Sequence, residues 1–146
     1  MSYHYKESGL DDVILENGYT IRKTPYGETV SIENVDALHR LLARRLIVQR
    51  EINGAEFRFL RREMGKTQAQ LADLFRLEEQ TISLWERDRN KPIPPLAGVM
   101  LRLLYAEHIG LKPKIEQTIR AQARVEKTVR LDRAAHRWKA TEAHVY

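Results

Sequence analysis

The sequence predicts an α+β protein that is mainly α, and three observations lead to that class. An Asn-Gly pair between two short apolar runs near the N-terminus is typical of a β-hairpin. Farther along, apolar residues repeat at helical spacing in stretches bounded by capping residues and glycine. From Lys112 onward there is no glycine, and Pro113 is the last proline. We therefore expect a small N-terminal β-meander plus helix, a four- to five-helix bundle and a C-terminal helical tail.

The first strands are expected within an N-terminal module, residues 1–52. Val13–Glu16 and Tyr19–Lys23 flank the pair Asn17-Gly18. This pair suits the two positive-φ positions of a type I′ turn, so we predict a hairpin here.

The same module should contain more strands and one covering helix. Pro25–Glu28 predicts a second turn, Thr29–Ile32 a short strand, and Tyr3–Tyr5 an edge strand. A sheet this small is marginally stable alone. We expect the amphipathic stretch from Glu33 to about Gln49 to cover it, with Ser31 as the cap of that helix.

A helical domain is predicted over residues 53–111. Asn53 and Glu56 form a capping box that starts a helix at Gly54 or Ala55, and Gly65 ends it. The residues expected on its buried side are Phe57, Leu60 and Met64.

Two short helices should follow. Thr67 and Gln70 form a second capping box, so one helix should start at Gln68. Another is expected from about Glu79 to Arg87. The residues expected to be buried in these two helices are Leu71, Ala72, Leu74, Phe75, Ile82 and Trp85.

A last helix of the bundle is predicted to start at Pro95, because proline suits the first helical position, and to end at Gly110. Its expected buried stripe consists of Leu96, Val99, Met100, Leu103 and Leu104. The tail, residues 112–146, has only a patchy stripe made of Ile115, Ile119, Val125, Val129 and Trp138. A helical or frayed solvated tail is the plain interpretation, and a dimer arm or phosphate-binding arm is the alternative.

The stretch Lys66–Pro92, KTQAQLADLFRLEEQTISLWERDRNKP, resembles the helix-turn-helix of the XRE family, the phage-repressor-like regulators. The residues that match the family pattern in register are Thr67, Gln68, Gln70, Leu71, Ala72, Leu77, Thr81, Ile82, Ser83 and Glu86. Three positions depart from it: Arg76 and Asp88 replace the usual glycines, and Glu78 replaces the usual serine cap. The resemblance implies a repressor-like helix-turn-helix bundle.

By this resemblance, the second of the two short helices reads the DNA major groove. Glu79, Gln80 and Leu84 would lie at base edges, and Gln68 at a phosphate or beside a base. Glutamine can bond adenine N6 and N7 together, glutamate can accept only from cytosine N4, and leucine can touch only a thymine methyl. The remaining residues expected on the DNA side are Ser83, Arg87, Arg89 and Lys91, the last three as phosphate contacts.

A structural interpretation accompanies each of these residues. In the family, the residue at Glu86 pairs with an arginine on the preceding helix, and Arg61 occupies that place here. We therefore expect a structural ion pair and no catalytic carboxylate. The outward row of the second helix, which we call the polar row, consists of Glu79, Gln80, Ser83, Leu84 and Arg87. It could also be an ordinary solvated helix face; the motif favours DNA contact by part of it.

Composition excludes several classes of protein. The chain has no cysteine, which fits a reducing cytoplasm and leaves no disulfide framework. No apolar run approaches the ~20 residues of a membrane span, and the polar N-terminus is not a signal peptide. We expect a soluble, cytoplasmic protein without a membrane partner.

The net charge of +5 is unevenly distributed. Residues 112–146 contain nine basic and four acidic side chains, whereas residues 53–111 contain nine and eight. The helical domain is thus nearly neutral. Affinity for phosphate would have to come from local placement of its basic residues and from the tail.

The wider layout, from about Tyr3 to Ile109, is similar to regulators grouped with MqsA-type antitoxins. In that group the N-terminal module binds a toxin, often around a zinc held by four cysteines. That zinc site is excluded here, and we expect no metal and no cofactor. The histidines lack the spacing of zinc ligands; they are His4, His39, His108, His136 and His144.

These patterns favour a homodimeric, sequence-specific DNA-binding transcriptional regulator that represses its own operator, because one reading helix contacts too few bases. The alternative is a type II antitoxin whose residues 1–50 capture a toxin protein, with DNA binding secondary. An enzyme is disfavoured, since the sequence has no nucleophile motif, glycine-rich phosphate loop or metal cluster.

Overall fold

The computed structural model describes residues 1–49, 51–112, 116, 129–134 and 137–140. These residues form an α+β fold with five α-helices and short strands, as the sequence predicts. The chain divides into two compact units, Met1–Leu41 with Glu126–Tyr146, and Leu42–Val125. We refer to them as the mixed-sheet unit and the helical unit.

Six strands belong to the mixed-sheet unit: β1 (Tyr3–His4), β2 (Val13–Leu15), β3 (Tyr19–Thr24), β4 (Gly27–Ile32), β5 (Val129–Ala134) and β6 (Arg137–Ala140). They form a four-stranded sheet in the order β1-β2-β5-β6 and a separate two-stranded ribbon, β3-β4. The β2–β5 pair is parallel, with Val13 opposite Val129, and the other pairs are antiparallel. The predicted edge strand at the N-terminus is confirmed, but the single meander is wrong.

The ribbon is a β-hairpin, and its turn is at Pro25-Tyr26, where the second turn was predicted. Its register places Tyr19 opposite Ile32 and Thr24 opposite Gly27. The Thr24 hydroxyl donates to the Gly27 carbonyl at 2.7 Å. Gly27 has a φ of +120°, a conformation that favours glycine.

The hairpin predicted at Asn17-Gly18 does not form. Gly18 has a φ of +81°, but Asn17 does not have the positive φ that a type I′ turn requires. The Asn17 side chain instead accepts a hydrogen bond from the Arg133 backbone N–H. A Cβ on Gly18 would lie 2.5 Å from Trp138 Cη2, so this glycine permits a close approach to β6. The pair therefore connects two sheets.

The helix predicted for the C-terminal tail is wrong over the described residues 129–134 and 137–140, which are strands. Leu131 is fully buried and Trp138 is nearly so. The Trp138 indole N–H donates to the Glu33 carbonyl at 3.3 Å. These apolar side chains complete the core of the mixed-sheet unit. Of the other tail positions, Glu116 is helical as predicted, and Ile115, Ile119 and Val125 lie outside the described residues.

Helix α1 (Val35–Leu46) is shorter at both ends than predicted, and the division between the two units falls within it. Ser31 does not cap it, because Ser31 lies in β4 opposite Thr20. Leu38, Leu42 and Leu46 are buried, so this helix has an apolar face, as expected of an amphipathic stretch.

Four helices follow in the helical unit: α2 (Gly54–Glu63), α3 (Gln68–Phe75), α4 (Glu79–Arg87) and α5 (Pro95–His108). Both predicted capping boxes are present and start α2 and α3 at the predicted residues. Helix α2 contacts α4 and α5, and α3 contacts α4. The fully buried side chains at the centre of this unit are Ile52, Phe57, Leu60, Leu71, Ile82 and Leu101.

The buried face of α5 differs from the predicted one. Leu96 is 71% exposed, and the rest of the predicted stripe is half-buried. The residues of α5 that are buried are Ala97, Gly98, Leu101, Arg102, Tyr105 and Ala106. Since apolar side chains surround most of this helix, their periodicity does not select one face.

Candidate nucleic-acid interface

Helix α3 begins where its capping box fixes the backbone. The Thr67 hydroxyl accepts from the Gln70 N–H at 3.1 Å, and the Gln70 side chain accepts from the Thr67 N–H at 2.9 Å. Two of the N–H groups that a helix start leaves unsatisfied are thereby bonded. Gln68 is consequently the first helical residue, with its side chain half-exposed.

A turn at Arg76 connects α3 to α4. Arg76 has a φ of +59°, and the Leu77 N–H donates back to the Ala72 carbonyl at 2.9 Å. This bond closes a turn of the Schellman type, in which glycine is the usual residue at the positive-φ position. Arg76 therefore adopts the positive φ of the glycine that it replaces, at the cost of some strain, and the turn keeps its geometry. Asp88, the other glycine replacement, has a φ of −85° and carries no such strain.

Apolar contacts hold α4 against α2 and α3. Ile82 is fully buried, and the Trp85 ring meets Phe57 edge to face with centroids 5.7 Å apart. Phe75 approaches the same ring of Phe57, at 6.5 Å. Leu74 does not join this core, contrary to prediction, because its side chain is 49% exposed.

A buried ion pair connects α4 to α2, as the sequence predicted. Arg61 Nε donates to Glu86 Oε2 at 2.6 Å, and Nη2 donates to Oε1 at 2.8 Å, so the pair is bidentate. Arg61 Nη1 also donates to the Lys66 carbonyl at 2.8 Å. The Gln68 amide donates to Glu86 Oε1 at 3.1 Å. This network fixes the first side chain of α3 relative to α4.

The C-terminal end of α4 is tied to the start of α2 through the backbone. The Gly54 N–H donates to the Lys91 carbonyl at 3.2 Å, and the Ala55 N–H donates to the Arg89 carbonyl at 3.1 Å. A Cβ on Gly54 would overlap the Trp85 carbonyl oxygen and lie 2.7 Å from that of Asp88. Only glycine permits this approach, so Gly54 helps to fix the position of α4.

The predicted DNA-contacting residues share one region, along α4 and at its two ends. Glu79 and Gln80 occupy the exposed first turn, Ser83 is half-exposed, and Leu84 is 48% exposed. Arg87 ends the helix, and the side chains of Arg89 and Lys91 follow on the exposed segment beyond it. Gln68 differs from the others because its amide is engaged by Glu86.

Charge is segregated along α4. Glu78 and Glu79 lie at its N-terminal end, and Arg87 lies at its C-terminal end. This order complements the helix macrodipole and stabilises the helix irrespective of any ligand. Within the described residues the Glu78 side chain makes no capping hydrogen bond, so the carboxylate that replaces the usual serine does not supply the cap.

A cleft of about 580 Å³ borders the C-terminal half of α4. Its apolar wall includes Leu84, Trp85, Ile93 and Pro94, and its charged residues are Glu51, Asp88 and Lys91. Leu84 thus belongs both to the exposed face of α4 and to the wall of this cleft.

Sequence reasoning did not anticipate the role of Gly54. The available signal was a glycine immediately after the capping residue Asn53, where better helix formers are usual. It also did not anticipate that Gln68 bonds Glu86, because that contact joins residues 18 positions apart.

Among the residues that the structure describes, no cluster of three or more His, Asp or Glu side chains is arranged to hold a metal ion. Over the same residues, no helix combines the length and the apolar composition needed to cross a membrane. Comparison of the chain with models of known families, with curated proteins and with solved structures found no match.

Proposed function

We propose that this chain is a sequence-specific DNA-binding transcriptional regulator that represses its own gene and reads the major groove as a homodimer. The observation that carries the proposal is the exposed polar row of α4. The buried, bidentate Arg61–Glu86 pair fixes this helix to α2. A rigidly supported helix with exposed hydrogen-bonding side chains can present them at fixed positions to base edges.

The dimensions of α4 agree with this role. A helix with its side chains is about 10 to 12 Å across, and the major groove is about 12 Å wide, so a helix such as α4 can lie within the groove. Gln80, exposed in the first turn, offers the amide that pairs bidentately with adenine N6 and N7. The basic residues beyond the other end, including Arg89 and Lys91, would then lie toward phosphates, where they contribute affinity without sequence preference.

A homodimer follows from the amount of sequence that one α4 can read. Three or four side chains reach base edges from a single helix, which gives too little discrimination in a genome. Two copies related by a two-fold axis would place two reading helices about 34 Å apart, one helical turn of DNA.

The first test is a fluorescence-anisotropy titration of the full-length protein on the DNA upstream of its own gene and on a scrambled duplex, at two salt concentrations. We expect tight binding to the upstream DNA alone, with a salt slope of about −0.9 per phosphate contact. Weak, equal binding to both duplexes would reject a sequence-specific regulator.

A substitution then tests the reading role of α4. Gln80→Ala should weaken binding to the upstream DNA by about 1 to 3 kcal/mol and leave binding to scrambled DNA nearly unchanged. Glu107→Ala, at the exposed end of α5, is the control and should change neither affinity. An equal loss on both duplexes would remove Gln80 from base reading.

A second candidate function, a type II antitoxin, is favoured by the separate mixed-sheet unit. DNA reading by α4 does not require this unit. Its ribbon exposes apolar side chains, with Ile21 43% exposed and Tyr26 fully exposed. Co-purification with the product of a neighbouring gene, lost in Ile21→Asp, would support toxin capture. A gene without such a neighbour would count against it.

A further inference from the structure

Arg76 occupies the strained position of the turn between α3 and α4. Its φ of +59° lies in the left-handed region, which among L residues Asn and Asp tolerate best. Asn34, with φ of +47°, is the other non-glycine residue in this region among those described. Arginine is the unusual occupant of the two, since its side chain does not hydrogen-bond locally to offset the strain.

The backbone requirement at this turn does not explain an arginine. The Arg76 N–H and the Leu77 N–H make the turn's hydrogen bonds, and glycine would make both without strain. The Arg76 side chain is exposed, and over the described part of the chain it forms no hydrogen bond or ion pair. What arginine adds over glycine is thus a cation on a long, flexible stem directed to solvent.

The charged residues that follow Arg76 in the chain indicate a role for its guanidinium. Glu78 and Glu79 follow within three residues and begin α4, at the end of the helix whose side chains would approach DNA. Two carboxylates there repel phosphates. Arg76 is the basic residue nearest to them in sequence; the next along α4 is Arg87, at its far end.

We infer that Arg76 is a phosphate contact: its guanidinium bonds the DNA backbone beside the first turn of α4 and offsets the repulsion from Glu78 and Glu79. The inference rests on the proposed DNA-binding function and adds a residue to it. The strained turn is retained because the side chain binds phosphate, which arginine does bidentately. Strain at a functional position is a recurrent arrangement.

The test compares Arg76→Gly, Arg76→Asn and Arg76→Lys in the full-length protein, using thermal unfolding and anisotropy titrations on upstream and scrambled DNA. Glycine and asparagine relieve the strain and remove the charge. We expect them to raise Tm by about 2 to 5 °C and weaken binding to both duplexes by about 3- to 10-fold. The magnitude of the salt slope should decrease by about 0.9. Lysine should keep both the wild-type slope and the wild-type Tm.

Two controls separate strain from charge. Asn34→Gly relieves strain at the other positive-φ residue without changing charge, and it should leave DNA affinity and slope unchanged. Arg22→Gln removes one exposed positive charge from β3 and should leave the slope unchanged as well.

The outcomes distinguish the inference from the function on which it rests. If the wild type binds the upstream DNA and Arg76→Gly keeps its affinity and slope, the phosphate contact is overturned and the proposed function stands. A loss of slope in Arg22→Gln equal to that in Arg76→Gly also overturns the contact, since net charge alone would then explain it. If the wild type binds neither duplex, the function and the contact fail together.

Discussion

The helical unit and the mixed-sheet unit differ in the distance along the chain that their contacts span. In the helical unit both capping boxes join residues three positions apart, and the Arg61–Glu86 pair joins residues 25 positions apart. In the mixed-sheet unit the Asn17–Arg133 contact spans 116 positions and the Trp138–Glu33 contact spans 105. One unit is assembled locally, and the other from both ends of the chain.

This difference has a consequence for folding. Closing a long loop costs conformational entropy before any non-local contact can offset it, so distant strand pairs form slowly. The parallel β2–β5 pair can therefore form only when β5 is brought back to β2 across more than a hundred intervening residues. The contacts among α2, α3 and α4 carry no such requirement.

The largest expected effect comes from deleting Glu126–Tyr146, which removes β5 and β6. The mixed-sheet unit should unfold, because β2 loses its parallel partner and the core loses the buried Leu131 and Trp138. The remaining β1–β2 pair involves only two residues on each strand and is too small to be stable. Amide hydrogen exchange should show loss of protection in β2 and retention of protection in α2 and α4.

A shorter deletion serves as the control. Removing residues 141–146 leaves both β5 and β6 intact, so protection in β2 should persist. If β2 stayed protected in the longer deletion, the mixed-sheet unit would not depend on its C-terminal strands, and the contrast between the two units would be lost.

The same difference in range explains which elements were predictable. The starts of α2 and α3 follow from capping boxes whose members are three residues apart. The bounds of α4 were also correct, since its apolar spacing and motif are local. By contrast, nothing near Asn17-Gly18 indicates that β2 pairs with a strand more than a hundred residues away.

The part of the tail that forms β5 and β6 contained a weak strand signal. Val129 and Leu131 alternate with charged residues, which is typical of a half-buried strand, but the run is short. A sparse helical stripe over the same region competes with it.

The burial of α5 was unpredictable for another reason: its apolar residues cover most of the helix, so spacing alone does not select a face. For the candidate site, sequence located the exposed row but not the contacts of Gln68 and Gly54.

A second comparison concerns one ion pair in each unit. Glu86→Ala should lower the free energy of unfolding of the helical unit by about 3 to 5 kcal/mol, because it leaves the buried Arg61 guanidinium uncompensated. In the mixed-sheet unit the Arg130–Glu16 pair is partly exposed, with Arg130 47% and Glu16 34% accessible. Glu16→Ala should cost roughly 1 kcal/mol or less. Urea unfolding of each variant measures both values.

The double variant Arg61→Leu with Glu86→Leu provides the control for the buried pair. It removes both charges, so its cost should be much smaller than that of Glu86→Ala alone. Equal costs for the single and double variants would mean that the uncompensated charge is not the source of the loss.

A last pair of predictions concerns two glycines of the helical unit, whose replacement by alanine should change stability in opposite directions. Gly54→Ala should destabilise the unit by about 1 to 3 kcal/mol, since the new methyl group overlaps backbone oxygens at the end of α4 and cannot be relieved by a side-chain rotation. Gly98→Ala, inside α5, has Ile93 Cδ1 as its nearest neighbour at 4.0 Å. Alanine should stabilise it by about 0.5 to 1 kcal/mol.

The direction of these two changes, measured by urea unfolding, decides whether Gly54 fixes the position of α4. Both glycines lie in helices, so helix propensity alone would make alanine favourable at each. Stabilisation by Gly54→Ala would contradict the close contact between α2 and the Trp85 carbonyl. If the unit is destabilised but remains folded, α4 has shifted away from α2. The Gly54 variant should then also lose affinity for the upstream DNA, whereas the Gly98 variant keeps it.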